Sequence, residues 1–282
     1  AFDGGFADYM VADRRNVHSI ETDLSSAELA TFAIAYSTAE NMLNRAGVCA
    51  RDVVLIAGAS GGVGSALVQL SNRRGAKTVA MASEAKHADV AKMNPTAILP
   101  RQPDDLKAAL KGTIGRETVS VVADIVGGQQ FSDLIEVLDR GGRYTCSGAI
   151  AGPMVELDLR TFYLHDLTFH GCTIFEPKVF PSLVNYIEAS EIKPMLAATY
   201  PLEELHEAQR AFVAKKHTGN IVVTMDWTNE NYPNIALQEG IAIRERHLCL
   251  GRRERDRHRD DVSGRHRYRC RNFRLRRVLP VR

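Results

Sequence analysis

The sequence predicts an α/β fold, a doubly wound parallel sheet with helices on both faces, and three observations carry that expectation. Short apolar runs recur between Ala50 and Ile174, separated by stretches of helical spacing. Strands that are apolar on both faces belong to a buried parallel sheet. The first run, Val53-Val54-Leu55-Ile56-Ala57, breaks into Gly58-Ala59-Ser60-Gly61-Gly62-Val63-Gly64 and resumes as an apolar helix. Such a turn aims the free N–H groups of the helix at whatever lies above it, usually a phosphate. Finally, a second strand begins at Thr78 and closes a strand–helix–strand unit. Ala59 stands at the first glycine of G-x-G-x-x-G, and this setting is what gives the imperfect pattern its force.

Each element has its own reason. Expected strands are Val53–Ala57, Thr78–Ala82, Ala97–Leu99, Val119–Ile125, Arg143–Ser147 and Leu167–Ile174, with helices over Val63–Arg73, Ala85–Lys92, Asp104–Leu110 and Phe131–Leu138. Gly141-Gly142 reads as a helix C-cap before the fifth strand. Upstream, Ser25–Ala46 reads as one helix, with Ser25 and Glu28 as a capping box. Downstream, Lys178–Ala189 and Leu202–Ala214 are amphipathic, and Asn220–Met225 is a closing strand. Pro201 and the acids Glu203 and Glu204 suit a helix start.

Charge divides the chain. Residues 226–282 hold 15 Arg, no Lys and 8 acids, a net of +7, so residues 1–225 carry −5 of the overall +2. An acidic body gives no reason to expect nucleic acid. Arg252–Arg277 lacks apolar periodicity, and we read it as disordered or translated past a frameshift rather than as a nucleic-acid arm. No run of 18 apolar residues exists to cross a membrane. Five scattered cysteines without a Cys-x-x-Cys pair, and no signal-peptide pattern, lead us to expect a cytoplasmic setting.

The chemistry concentrates at the strand ends. Backbone amides around Ser60, Gly61, Gly62 and Val63 are expected to hold a dinucleotide diphosphate. Gly61 permits close approach, and Gly64 lets the helix pack on its strand. The second strand ends Ala82-Ser83-Glu84-Ala85-Lys86. A small residue followed by Ser83 and Lys86 leaves room and positive charge for a 2′-phosphate, favouring NADP(H) over NAD(H). Glu84 is the one residue that would favour NAD(H). Val126, Ser147 and Gly148 follow the fourth and fifth strands, where glycine lets a nicotinamide lie against the backbone. Asp124, in an otherwise apolar strand, requires a polar partner. No Tyr-x-x-x-Lys pair and no Gly-Lys-Ser/Thr sequence is present, which excludes short-chain dehydrogenase and Walker P-loop readings.

Gly58–Gly64 in this setting, with Gly4-Gly5-Phe6-Ala7-Asp8-Tyr9 and Lys216-His217-Thr218-Gly219-Asn220-Ile221-Val222, resembles the medium-chain dehydrogenase/reductase superfamily. The glycine turn is most similar to the quinone oxidoreductase and zinc-type alcohol dehydrogenase-like branches. The resemblance, over residues 3–225, implies a Rossmann domain, a GroES-like substrate domain, a dimer or tetramer, and hydride transfer with NAD(P)(H). It also implies that Thr38 lies beside the nicotinamide. Only a remnant of the GroES-like domain is expected, at 1–25, with the dinucleotide domain at 26–190 and a return to the substrate domain at 191–225. The position of a family zinc ligand falls at Ile34, and the histidines are isolated, so no zinc is expected. The combined expectation is an NADP(H)-dependent oxidoreductase of a small carbonyl, alcohol, quinone or activated alkene, forming a homodimer. The alternative is a non-catalytic dinucleotide-binding remnant.

Overall fold

The computed structural model describes Phe6, residues 16–225 and two later strands, Ile235–Gln238 and Ile241–Arg244. The chain divides into two units, Ala1–Asp226 and Trp227–Arg282. In the second, Ile235–Gln238 and Ile241–Arg244 pair antiparallel. The expectation placed on Arg252–Arg277 lies outside the described residues.

The first unit is built on six parallel strands: β1 (Val53–Ile56), β2 (Lys77–Ala82), β3 (Ala97–Pro100), β4 (Val119–Asp124), β5 (Leu138–Cys146) and β6 (Thr168–Gly171). Their order is β3-β2-β1-β4-β5-β6. That is the doubly wound order, whose topological switch point lies between β1 and β4. Alternation along the strands feeds two cores. Val54, Ile56, Ala80, Val121 and Ala123 face one way, onto helices α2 (Ala35–Arg45), α3 (Gly62–Arg73) and α8 (Val179–Glu188). Val53, Leu55, Val79, Met81 and Val122 face the other, onto α5 (Leu106–Ile114) and α6 (Phe131–Glu136). Because both faces are covered, β1 is buried along its whole length.

Three local expectations are revised. The single helix expected over Ser25–Ala46 is two, α1 (Ser26–Ala30) and α2. The capping box forms as expected, with Glu28 N–H donating to Ser25 Oγ and Ser25 N–H to Glu28 Oε2. The Thr31 hydroxyl then bonds back to Glu28 O at 2.7 Å, which competes with helix propagation. Gly141-Gly142 is no helix cap. Helix α6 stops at Glu136, and the glycines sit inside β5. Gly141 has φ +73°, and the register with β4 shifts between Val119 and Val121, so the pair forms a bulge. A strand not expected, β7 (Leu196–Pro201), pairs in parallel with β8 (Asn220–Thr224) across helix α9 (Leu205–Ala214). Pro201 ends β7 and also caps the 3₁₀ turn Leu202–Glu204, which holds Glu203 and Glu204 in its first turn and runs into α9, so the expected helix start is kept.

Candidate functional site

The turn after β1 lies at the switch point. Gly58 has φ +70°, and a Cβ there would stand 2.9 Å from Val126 Cγ2, so the loops leaving β1 and β4 are in contact. Gly61 caps α3 in an extended conformation without a side-chain partner. The first-turn amides of Gly62, Val63 and Gly64 consequently have no acceptor in their own helix, the condition for holding an anion. A Cβ on Gly64 would fall 2.1 Å from Gly58 O. Only glycine lets α3 leave the turn at this angle.

A second wall faces the turn. Gly219 N–H donates to Ser60 O at 2.9 Å, and Gly219 bridges Gly61 as a parallel strand would. Next to it, Asn220 Oδ1 lies 2.3 Å from where a Gly62 Cβ would sit, and Asn220 Nδ2 is buried without a partner. The glycine turn, with its first-turn amides free, is of the kind that fits a diphosphate.

Ser83 precedes the short 3₁₀ turn Glu84–Lys86 at the end of β2. Lys86 Nζ donates to Lys215 O at 2.7 Å and His217 O at 2.6 Å, which ties the second wall to β2. An ammonium has three hydrogens, so one stays available to a ligand. Partial burial, then Lys215 and Arg101 nearby, lower the pKa of Lys86. Asp89 nearby acts the other way, so the three cations share this neighbourhood with one carboxylate. Glu84, the candidate acid for a ribose hydroxyl, is exposed.

Beyond β4 and β5 lies the part of the crevice expected to take the nicotinamide. Asp124 is fully buried, and its carboxylate accepts from Val126 N at 2.7 Å, Gly127 N at 3.1 Å and Tyr144 Oη at 2.7 Å. Its role is thus to hold the turn. The Val126 carbonyl accepts from Ala151 N, and the Ser147 hydroxyl donates to Cys172 O at 2.7 Å. The Ser147 N–H donates to Asp124 O at 3.4 Å, so Ser147 holds the ends of β4, β5 and β6 together. A Cβ on Gly148 would meet Ile125 O at 3.1 Å, so this backbone too is closely approached.

Helix α2 runs antiparallel to β5. Ala46 O accepts from Arg143, and Met42 O accepts from Thr145 Oγ1 at 3.4 Å. Thr38 lies one turn, about 5.4 Å, further along. It is 9% exposed. Asn220, Arg101 and Lys215 had no assigned role in the sequence reading. The segment Lys216–Val222 was the available signal, but the packing of Asn220 on Gly62 is a tertiary contact with no local signature.

A metal does not fit the residues described. Ile34 has no donor atom, and among the described residues no group of three or more His, Cys, Asp or Glu could hold one. Comparison with known proteins finds that the zinc-binding dehydrogenase family matches residues 62–189. The quinone oxidoreductase of Sus scrofa is 24% identical over 231 residues, 79% of this chain and 70% of that protein. The crotonyl-CoA reductase of Streptomyces collinus is 25% identical over 263 residues, 86% of this chain and 57% of that one. A solved Sinorhizobium meliloti 1021 protein, provisionally described as an alcohol dehydrogenase, is 47% identical with a TM-score of 0.77. That alignment covers 79% of this chain and 62% of the solved one, so the chain spans less than two thirds of it. With the strand order and the glycine turn, these likenesses show that the chain belongs to the medium-chain dehydrogenase/reductase superfamily.

Proposed function

We propose that the protein is an NADP(H)-dependent, zinc-independent oxidoreductase acting on a small carbonyl, alcohol, quinone or activated alkene. The observation that carries this reading is the glycine turn at the β1/β4 switch point, with unpaired first-turn amides. Lys86, Arg101 and Lys215 support the 2′-phosphate of NADP(H): like charges held together favour a ligand that neutralises them. A bound nicotinamide supplies or accepts the hydride. In that reading the α3 amides hold the diphosphate, and the backbone at Val126, Ser147 and Gly148 orients the ring. In the same reading Thr38 Oγ1 hydrogen-bonds the oxygen on which charge develops.

Two assays test this. NADPH titrated into the full chain should bind and saturate. Bound NADPH should then be consumed when quinones or enones are added, with no tightly bound zinc in the active sample. Stoichiometric zinc in an active sample would overturn the zinc-independent reading. A second reading is a dinucleotide-binding protein without catalysis, which needs only the glycine turn at the switch point. It predicts the same titration and no turnover with any substrate in the panel.

A further inference from the structure

We infer that Tyr144 is a positioning residue for the nicotinamide half of the site, acting through the Asp124 carboxylate on the turn at 126–128. This rests on the dinucleotide reading above. The turn has little means of holding its own shape. Gly127 and Gly128 are both left-handed, at φ +62° and +70°, and glycine has no side chain to bias either. Two amides of the turn, Val126 N and Gly127 N, donate instead to Asp124 Oδ1. Asp124 Oδ2, which Gly127 N reaches only at 3.2 Å, takes its short bond from another strand, the Tyr144 hydroxyl of β5 at 2.7 Å.

The phenol is itself fixed. Its ring stands edge-on to Phe131 with centroids 5.4 Å apart and is tilted against Phe169 at 5.3 Å. Burial, then the Asp124 charge, raises its pKa, so the hydroxyl stays a donor. Phenylalanine would fill the same space among these rings, so packing alone does not call for a hydroxyl. What the turn carries gives the bond its consequence. The turns leaving β1, β4 and β5 meet at Val126: a Cβ on Gly58 would stand 2.9 Å from its Cγ2, and its carbonyl accepts from Ala151 N at 2.8 Å. Gly128 N–H reaches Gly152 O at 3.0 Å from the same turn. Asp124 thus secures the backbone assigned to the nicotinamide, whereas the diphosphate is assigned to the α3 amides. The two halves of the dinucleotide should therefore respond differently when the hydroxyl is removed.

The test uses the full chain with Tyr144→Phe, which keeps the ring and its packing. A second variant, Phe162→Leu, loosens the same aromatic cluster at Phe169 and leaves the hydroxyl in place. Each is titrated with NADPH and with adenosine 2′,5′-bisphosphate, the half that lacks the nicotinamide, and the emission of bound NADPH is recorded. Tyr144→Phe should bind NADPH about tenfold more weakly, the loss of one hydrogen bond to a charged group. Its bound NADPH should emit more like the free nucleotide, and its affinity for adenosine 2′,5′-bisphosphate should equal that of the wild type. Phe162→Leu should melt at a lower temperature and match the wild type in both titrations. Wild-type NADPH affinity and emission in Tyr144→Phe overturn the role of Tyr144 and leave the dinucleotide reading standing. Equal losses for both probes overturn it too, because they mark a general disturbance of the fold. So does the same selective loss in Phe162→Leu, because packing then accounts for it. A wild-type chain that melts cooperatively and binds neither nucleotide removes the dinucleotide reading, and this role with it.

Discussion

Two glycines two residues apart demand different things of the same helix. A methyl on Gly64 would collide with Gly58 O and the Ala59 backbone, neither of which can move without dismantling the turn. Gly64→Ala should therefore lower stability by about 3 kcal/mol, the upper range for overpacking, measured by urea unfolding. A methyl on Gly62 meets only the end of the Asn220 side chain. Gly62→Ala should displace that carboxamide and cost much less, about 1 kcal/mol, the lower range for overpacking. Equal destabilisation by both substitutions would refute the distinction. The sequence made the need for glycine at 64 legible, because helix–strand packing is a property of the turn. It did not reveal the reason for Gly62, whose neighbour is 158 residues away (220 less 62).

At the scale of the element, the sheet is most firmly tied at its other end. Asp52, just before β1, is 3% exposed and accepts from Cys49 N and Ser120 Oγ, each at 2.9 Å, and from the Arg143 guanidinium. Burial pushes its carboxyl pKa up, but these donors outweigh burial and hold it below the ordinary aspartate value. A depressed pKa means that the stabilisation is present above about pH 4 and is lost as the pH falls through the lower, folded-state value. Asp52→Asn should cost about 3 kcal/mol at pH 7, since it leaves Arg143 unpaired. It should also flatten the decline of stability below pH 4, as chemical denaturation across pH 2.5–7 would show. A variant with an unchanged acid limb would exclude Asp52 as its source. The strands themselves were legible because Val53–Ile56 and Val119–Asp124 are apolar on both faces, which only a covered parallel strand requires. The bulge at Gly141-Gly142 was read as a cap because a left-handed glycine is equally at home in both. The break at Thr31 was missed because one side-chain bond to Glu28 O decides it against a favourable helical spacing.

For the molecule as a whole, nucleotide binding should reinforce the first unit. Ligand at a hundredfold excess over Kd stabilises the state that binds it by about 2.7 kcal/mol. For a unit of about 200 residues this raises Tm by roughly 5–10 °C. Lys86, Arg101 and Lys215 lie at the end of β2, where the 2′-phosphate is the only feature separating NADPH from NADH. NADPH should therefore raise Tm more than equimolar NADH does, and the excess should shrink with added salt, as expected of charges near the surface. Lys86→Met keeps most of the apolar stem of the side chain and removes its charge. It should shrink the difference between the two nucleotides, Arg101 and Lys215 remaining, and it should also reduce the shift from NADH, because the carbonyls of Lys215 and His217 lose the ammonium that holds the segment before β8 against the glycine turn. A Lys86→Met protein that still prefers NADPH by the wild-type margin would place the phosphate elsewhere. A shift from NADH at the wild-type level would show that the wall keeps its position without Lys86.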